Sequence, residues 1–167
     1  MVSRKFLIVF LCLIAAGAIF LWMRHAKNDS EVIRENLSAI GNLISVSPKE
    51  PKKPFLAKIQ EVKKLIATPC ILDLDGGGIS GSYAPQEITA LIERFQSHVI
   101  QSRLTFLDIQ IHFPDKRAAT IHCTGHLKGL TRSREGINEF RELRIEAAKK
   151  GEGWRFTRFK TIEALEK

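Results

Sequence analysis

Cysteine is scarce in this chain of 167 residues, with three in all, and one of them, Cys12, lies within an apolar N-terminal stretch. Two cysteines, Cys70 and Cys123, cannot form the framework on which small disulfide-rich domains depend. One bridge between them, or two buried thiols, are the readings left open. There is also no stripe of one charge. The net charge of +8 is interleaved with acid along Arg141, Glu142, Arg144 and Glu146, which speaks against a nucleic-acid footprint. Apolar residues at 44% and charged residues at 26% exclude wholesale disorder and a polytopic membrane protein, and the length suits one compact domain.

Only one long apolar run is present. Phe6 to Met23 carries no charge, and as a helix it spans about 27 Å, close to the thickness of a hydrocarbon core. Arg4 and Lys5 precede it, Arg24, His25 and Lys27 follow it, and Trp22 stands where an interfacial anchor belongs. Ala16-Gly17-Ala18 has the small-residue character of a signal-peptide cleavage site. Cutting there would leave an apolar stub, so the sequence favours an uncleaved anchor. The expected organisation is a tail at 1–5, a transmembrane anchor at 6–23, a juxtamembrane linker at 24–28 and a soluble domain at 29–167. Basic residues on both flanks leave the orientation open. By analogy with signal-anchor proteins, the expectation is an inner-membrane protein with its soluble domain in the periplasm.

Beyond the anchor, Val32, Ile33, Leu37, Ile40, Leu43 and Ile44 recur at helical spacing, and Phe55, Ile59, Val62 and Ile66 do so again before Pro69. Three prolines between 48 and 54 make the intervening segment a loop, and the two helices are expected to pack as a hairpin. A strand at 70–74 follows. A third helix begins at Pro85 with Glu87 in its first turn, carries Ile88, Leu91, Ile92, Phe95 and Val99 on one stripe, and ends near Gln101. The period then becomes two, and strands are expected from Leu104 to Phe113, at 119–127, 139–148 and 154–162. The order is ααβαββββ, an α+β architecture with three helices on one face of a curved antiparallel sheet. In the first hairpin, Ile111 should meet Ile121 and Ile109 should meet Cys123, leaving Gln110 and His122 on the opposite face. Charging the apolar face at Ile111 should unfold the domain, and charging His122 should not.

This order, with Ile79-Ser-Gly-Ser-Tyr-Ala-Pro-Gln-Glu-Ile88 leading into a helix and Gly153-Trp-Arg-Phe156 opening the last strand, resembles the nuclear transport factor 2-like superfamily, also called SnoaL-like or cystatin-like cones. The resemblance covers roughly residues 29–165. It implies a cone-shaped α+β barrel, often dimeric, found both in isomerases and cyclases with Asp, His or Tyr in the cone and in non-catalytic modules of bacterial envelopes. The N-terminal helices have no Tyr, no His beyond His25, and no carboxylate on their apolar stripes, so no catalytic pattern transfers.

Several motifs have simpler explanations. Gly76-x-Gly78-x-x-Gly81 has dinucleotide-binding spacing, but Pro85 delays the helix and hairpins follow where βαβ units are needed. Asp73-x-Asp75-Gly fails as a calcium loop because Ala84 stands where the bidentate Glu belongs. His122 and His126 lie about 13 Å apart on one strand with Cys123 facing away, so they cannot share one zinc. Trp154 and Phe156 share a face and suit a core strand. No metal, cofactor or catalytic residue is expected. The candidate ligand or partner surface is Asp108, Gln110, His112, Thr120, His122 and Thr124 on the outer sheet face, with Tyr83 at the cone mouth. The leading expectation is a non-catalytic interaction module that binds the membrane through 6–23 and pairs with a second copy or an envelope protein, without nucleic acid. The alternative is a small-molecule binder or isomerase/lyase-like enzyme, which requires Asp108 and its neighbouring histidines to point into the cone.

Overall fold

The computed structural model describes residues 28–49, 51, 54–74, 78–151 and 153–162. The anchor expected at 6–23 lies outside them, and no described helix is long and apolar enough to cross a membrane. In chain order the elements are α1 (Asp29–Ile44), α2 (Phe55–Leu65), β1 (Ile66–Leu74), β2 (Ile79–Tyr83), α3 (Pro85–His98), β3 (Val99–Asp115), β4 (Ala118–Thr131), β5 (Gly136–Lys150) and β6 (Gly153–Ile162). The strands form one sheet of order β2-β1-β6-β5-β4-β3.

The architecture is α+β as expected, but with six strands rather than five. Strand β2 pairs antiparallel with β1, with Cys70 opposite Tyr83 and Leu74 opposite Ile79. It was missed because Ile79-Ser-Gly-Ser-Tyr83 is too polar to show an apolar alternation. The sheet is also mixed, since β1 runs parallel to β6. Helix α2 ends at Leu65, earlier than Pro69 would require. Buried Ile66 and Ala67 are drawn into β1, where Ile66 pairs with Phe156. Helix α3 likewise stops at His98 because buried Val99 begins β3.

Helix α1 does not form a hairpin with α2. The chain leaves α1 at the sheet edge, where Val46 and Ser102 exchange two backbone hydrogen bonds of 2.9 Å. The proline loop then carries it to α2, whose contacts are with α3, β1 and β6. Polar side chains tie the three helices. The buried Lys58 ammonium bonds Glu93 and donates to the Gln96 side-chain oxygen Oε1 at 2.7 Å. The Gln96 amide donates to the Leu43 carbonyl at 2.8 Å, satisfying an end of α1 that lacks an intrahelical partner. The start of α3 is set by Pro85 and by Glu87, whose carboxylate accepts the Ala84 N–H at 2.6 Å.

The predicted register of the first hairpin holds at Gln110↔His122, Ile111↔Ile121 and His112↔Thr120. It breaks one residue earlier. The register shifts between Leu107 and Gln110, where Asp108 takes a left-handed φ of 52°. The added residue is a β-bulge, a conformation that Asp tolerates. The bulge reverses the parity of the strand, so Leu107, expected on the apolar face, is 41% exposed. A second shift between Glu146 and Ala147 lets Trp154, Phe156 and Phe159 of β6 all turn inward. Both shifts bend the sheet around the core.

Ile33 and Leu37 of α1, Val62 of α2, and Ile121, Ile145, Trp154 and Phe156 of the sheet are all essentially inaccessible and form the core. Phe113 packs edge-on against Trp154 with centroids 5.7 Å apart, and Phe156 lies against Phe159 at 5.5 Å. Full burial of each aliphatic side chain of this set contributes about 1.5–3 kcal/mol.

Candidate functional site

Inside the sheet there is little chemistry to work with. The buried polar or charged residues among those described are Lys58, Thr89, Ser102 and Thr161. Lys58 is held by Glu93 and Gln96, and the Thr89 hydroxyl donates to the Pro85 carbonyl at 2.7 Å. Cys70 and Cys123 are both free and buried, so no bridge joins them. Burial pushes the Cys70 thiol up to about 12 and the Cys123 thiol up to about 11, which leaves both protonated near neutral pH and poor as nucleophiles.

That burial has a testable consequence for stability. The folded state holds the two protons well above the ordinary thiol value of 9.0. The stabilising contribution is therefore whole below pH 9.0 and is lost as pH rises through the folded values of about 11 and 12. The urea midpoint should fall between pH 8 and about pH 10.5, and the Cys70→Ala/Cys123→Ala variant should lack that component of the fall. An identical pH response in the two proteins would contradict the burial of these thiols.

The outer sheet face is where the expected residues gather. Two rows cross it, aligned by the strand register. One runs His112, Thr120, Glu146, Arg158, Ile71, and the other runs Gln110, His122, Arg144, Lys160, Asp73. Gln110, His112 and His122 are exposed, Thr120 and Thr124 half-buried. Asp108 is exposed on the bulge beside them. Tyr83 is not part of this cluster. It lies on β2, at the opposite edge of the sheet from β3, its ring beside Gly81. The charged residues of the rows pair loosely, Arg158 with Glu146 at 3.6 Å and Lys160 with Asp73 at 3.9 Å, as solvated surface pairs do. Among the described residues no group of three His, Cys, Asp or Glu is placed to hold a metal.

A third feature of this face was missed from sequence. His126 opposes Phe140 across β4 and β5, and their rings stack at 4.0 Å with planes 7° apart. The His126 ring also hydrogen-bonds the Asn138 side-chain oxygen at 2.8 Å. Phe140 is 53% exposed. One strand over, exposed Leu107 pairs with Thr124. Phe140 thus stays open to solvent although a stacked neighbour holds its ring. The signal was present in the turn at 132–135. Counting back from Leu130 opposite Gly136 places His126 opposite Phe140.

Neither a protein-family model nor a curated protein sequence matches the chain. Solved structures do match. The nuclear transport factor 2-like protein with a cystatin-like fold from Novosphingobium aromaticivorans superposes with a TM-score of 0.61 at 16% identity, covering 96% of this chain and 90% of that one. The fold is the nuclear transport factor 2-like cone. A hexachlorocyclohexane dehydrochlorinase of the LinA type matches this cone with a TM-score of 0.65 at 10% identity over 80% of this chain and 83% of its own. The association domain of the CaMKII kinase of C. elegans matches with a TM-score of 0.55 at 14% identity over 80% and 98%. These identities establish the cone and leave its chemistry to the residues of this chain.

Proposed function

We propose that this protein is a non-catalytic interaction module on a nuclear transport factor 2-like cone, tethered to the inner membrane by residues 6–23 with the cone in the periplasm. Its outer sheet face meets a second copy of the chain, and the assembled pair serves as a scaffold for an envelope complex. The observation that carries this reading is the distribution of side chains across the sheet. The inner face is packed with Ile121, Ile145, Trp154 and Phe156. The outer face carries the exposed Phe140 and Leu107 beside Gln110, His112 and His122. A cone that turns over a small molecule needs an acid–base pair facing a cavity. Here His112 and His122 lie on the outer face, and the two interior thiols stay protonated.

The anchor supports the same reading, since a tether raises the effective concentration of chains confined to one membrane. An association domain with the same fold exists in the CaMKII kinase. The test is sedimentation velocity of the full chain in detergent micelles, comparing the native protein with Phe140→Glu.

A further inference from the structure

Three connections of the chain meet at one end of the sheet. The β3–β4 turn at 114–117 and the β5–β6 turn at 149–153 lie side by side there, since the Lys149 N–H donates to the Arg117 carbonyl at 2.8 Å. The second turn is tight, with Lys150 opposite Gly153 and Gly151 at a left-handed φ of 63° that glycine takes without strain. The junction of α2 with β1 reaches the same end, because Ile66, the first residue of β1, pairs with Phe156, two positions after Trp154.

These connections carry mostly one charge. They contain Lys63, Lys64, Lys116, Arg117, Lys149 and Lys150 against Asp115 and, in sequence, Glu152. The Asp115 carboxylate serves its own loop, where it accepts the Arg117 N–H at 2.6 Å. Lys149 is half-buried, its ammonium 5.8 Å from the centroid of the Trp154 ring. Lys63, Lys64, Lys116, Arg117 and Lys150 are exposed, and none of these five makes an ion pair among the described residues.

The direction of α1 shows that the chain enters the cone at this same end. Asn36 donates to the Trp154 carbonyl at 3.0 Å, and Trp154 pairs with Lys149. Ten residues later Val46 bridges Ser102, which pairs with Gly129 near the β4–β5 turn, at the opposite end of the sheet. The linker expected at 24–28 spans at most about 18 Å when extended. Its Arg24 and Lys27 are offset by Asp29 and Glu31 of α1, so the excess of charge belongs to the three connections.

We infer that this basic end docks on the surface of the bilayer that holds the anchor, and that its cations take the headgroups of anionic phospholipids. On the tethered reading proposed above, on which this depends, a short linker keeps the end where the chain enters closest to lipid. Lys116, Arg117 and Lys150 of the two turns, with Lys63 and Lys64 at the end of α2, supply the cations. A basic cluster held beside a bilayer is attracted to anionic headgroups within a Debye length. Docking by the end of the sheet leaves the outer face, with Phe140, open to a second copy in the same membrane.

Trp22 and Trp154 are the two tryptophans of the chain. In the full chain carrying Trp22→Phe, Trp154 is the sole donor for energy transfer to dansyl-labelled headgroups in nanodiscs. We expect more transfer in discs of phosphatidylcholine mixed with phosphatidylglycerol than in phosphatidylcholine alone, with a difference that shrinks as salt is raised. Adding Lys116→Glu/Lys150→Glu should abolish that difference and, both residues being exposed, keep the native thermal melt. Adding Arg94→Glu/Arg134→Glu instead makes the same change of charge at exposed positions in the last turn of α3 and in the β4–β5 turn, and should leave the difference in place. Equal transfer in the two kinds of disc, or a difference that survives Lys116→Glu/Lys150→Glu or vanishes with Arg94→Glu/Arg134→Glu, would overturn the inference and leave the anchor standing. A native chain that fails to co-elute with phosphatidylcholine discs would remove the anchor, and the docking with it.

Discussion

Ile121→Asp will leave the domain unfolded, and His122→Asp, one residue along the same strand, will leave it folded. Ile121 is fully buried, with Ile111 opposite it on one side and Ile145 on the other. A carboxylate there has no partner, and burying an uncompensated charge costs several kcal/mol, a large part of the stability of an ordinary domain. His122 lies on the other face, exposed, between Gln110 and Arg144. A carboxylate at that position stays in water beside a guanidinium. Ile121 makes a sharper test than Ile111, which is only half-buried at the outer part of the hairpin. Urea titration followed by circular dichroism distinguishes the outcomes, and equal midpoints for the two variants would refute the assignment of faces.

Trp154→Ala should cost about 3–5 kcal/mol, as expected when a large core aromatic is truncated. The indole is 1% exposed, meets Phe113 edge-on, and lies with Lys149 5.8 Å from its ring centroid. The neighbouring backbone is also tied to the first helix, since Asn36 donates to the Trp154 carbonyl at 3.0 Å. Loss of the indole therefore opens a cavity where helix and sheet meet, and the protein should melt well below the native one. A loss under about 1 kcal/mol would place Trp154 at the surface, against the packing described above.

How much of this could be read from sequence depended on whether a residue's environment is local. The helices at 29–44, 55–65 and 85–98 were legible because their apolar stripes recur at helical spacing. The pairing of Ile111 with Ile121 followed from alternation and a short turn. The bulge at Asp108 was not legible, because nothing local marks an added residue when Asp, Gln and His all serve as outward-facing side chains. It alone moved Leu107 from the expected core to the surface. Strand β2 was hidden by its polar composition. The parallel pairing of β1 with β6 joins residues some ninety positions apart, beyond any local pattern. Gln110, His112, Thr120, His122 and Thr124 share one sheet face as the alternation implied, Tyr83 lies apart from them at the other edge of the sheet, and the stacked His126 and Phe140 were overlooked because Phe140, in a stretch rich in charge, carried no periodic signal.

The claim that this cone works as an interaction module rests on its outer face, and sedimentation velocity of the full chain in detergent micelles tests it most directly. The account predicts a dimer for the native protein and a monomer of unchanged fold for Phe140→Glu, since an added charge at the centre of a close-packed interface carries a large penalty. A native protein that sediments as a monomer at every concentration, or a Phe140→Glu variant that remains dimeric, would contradict it.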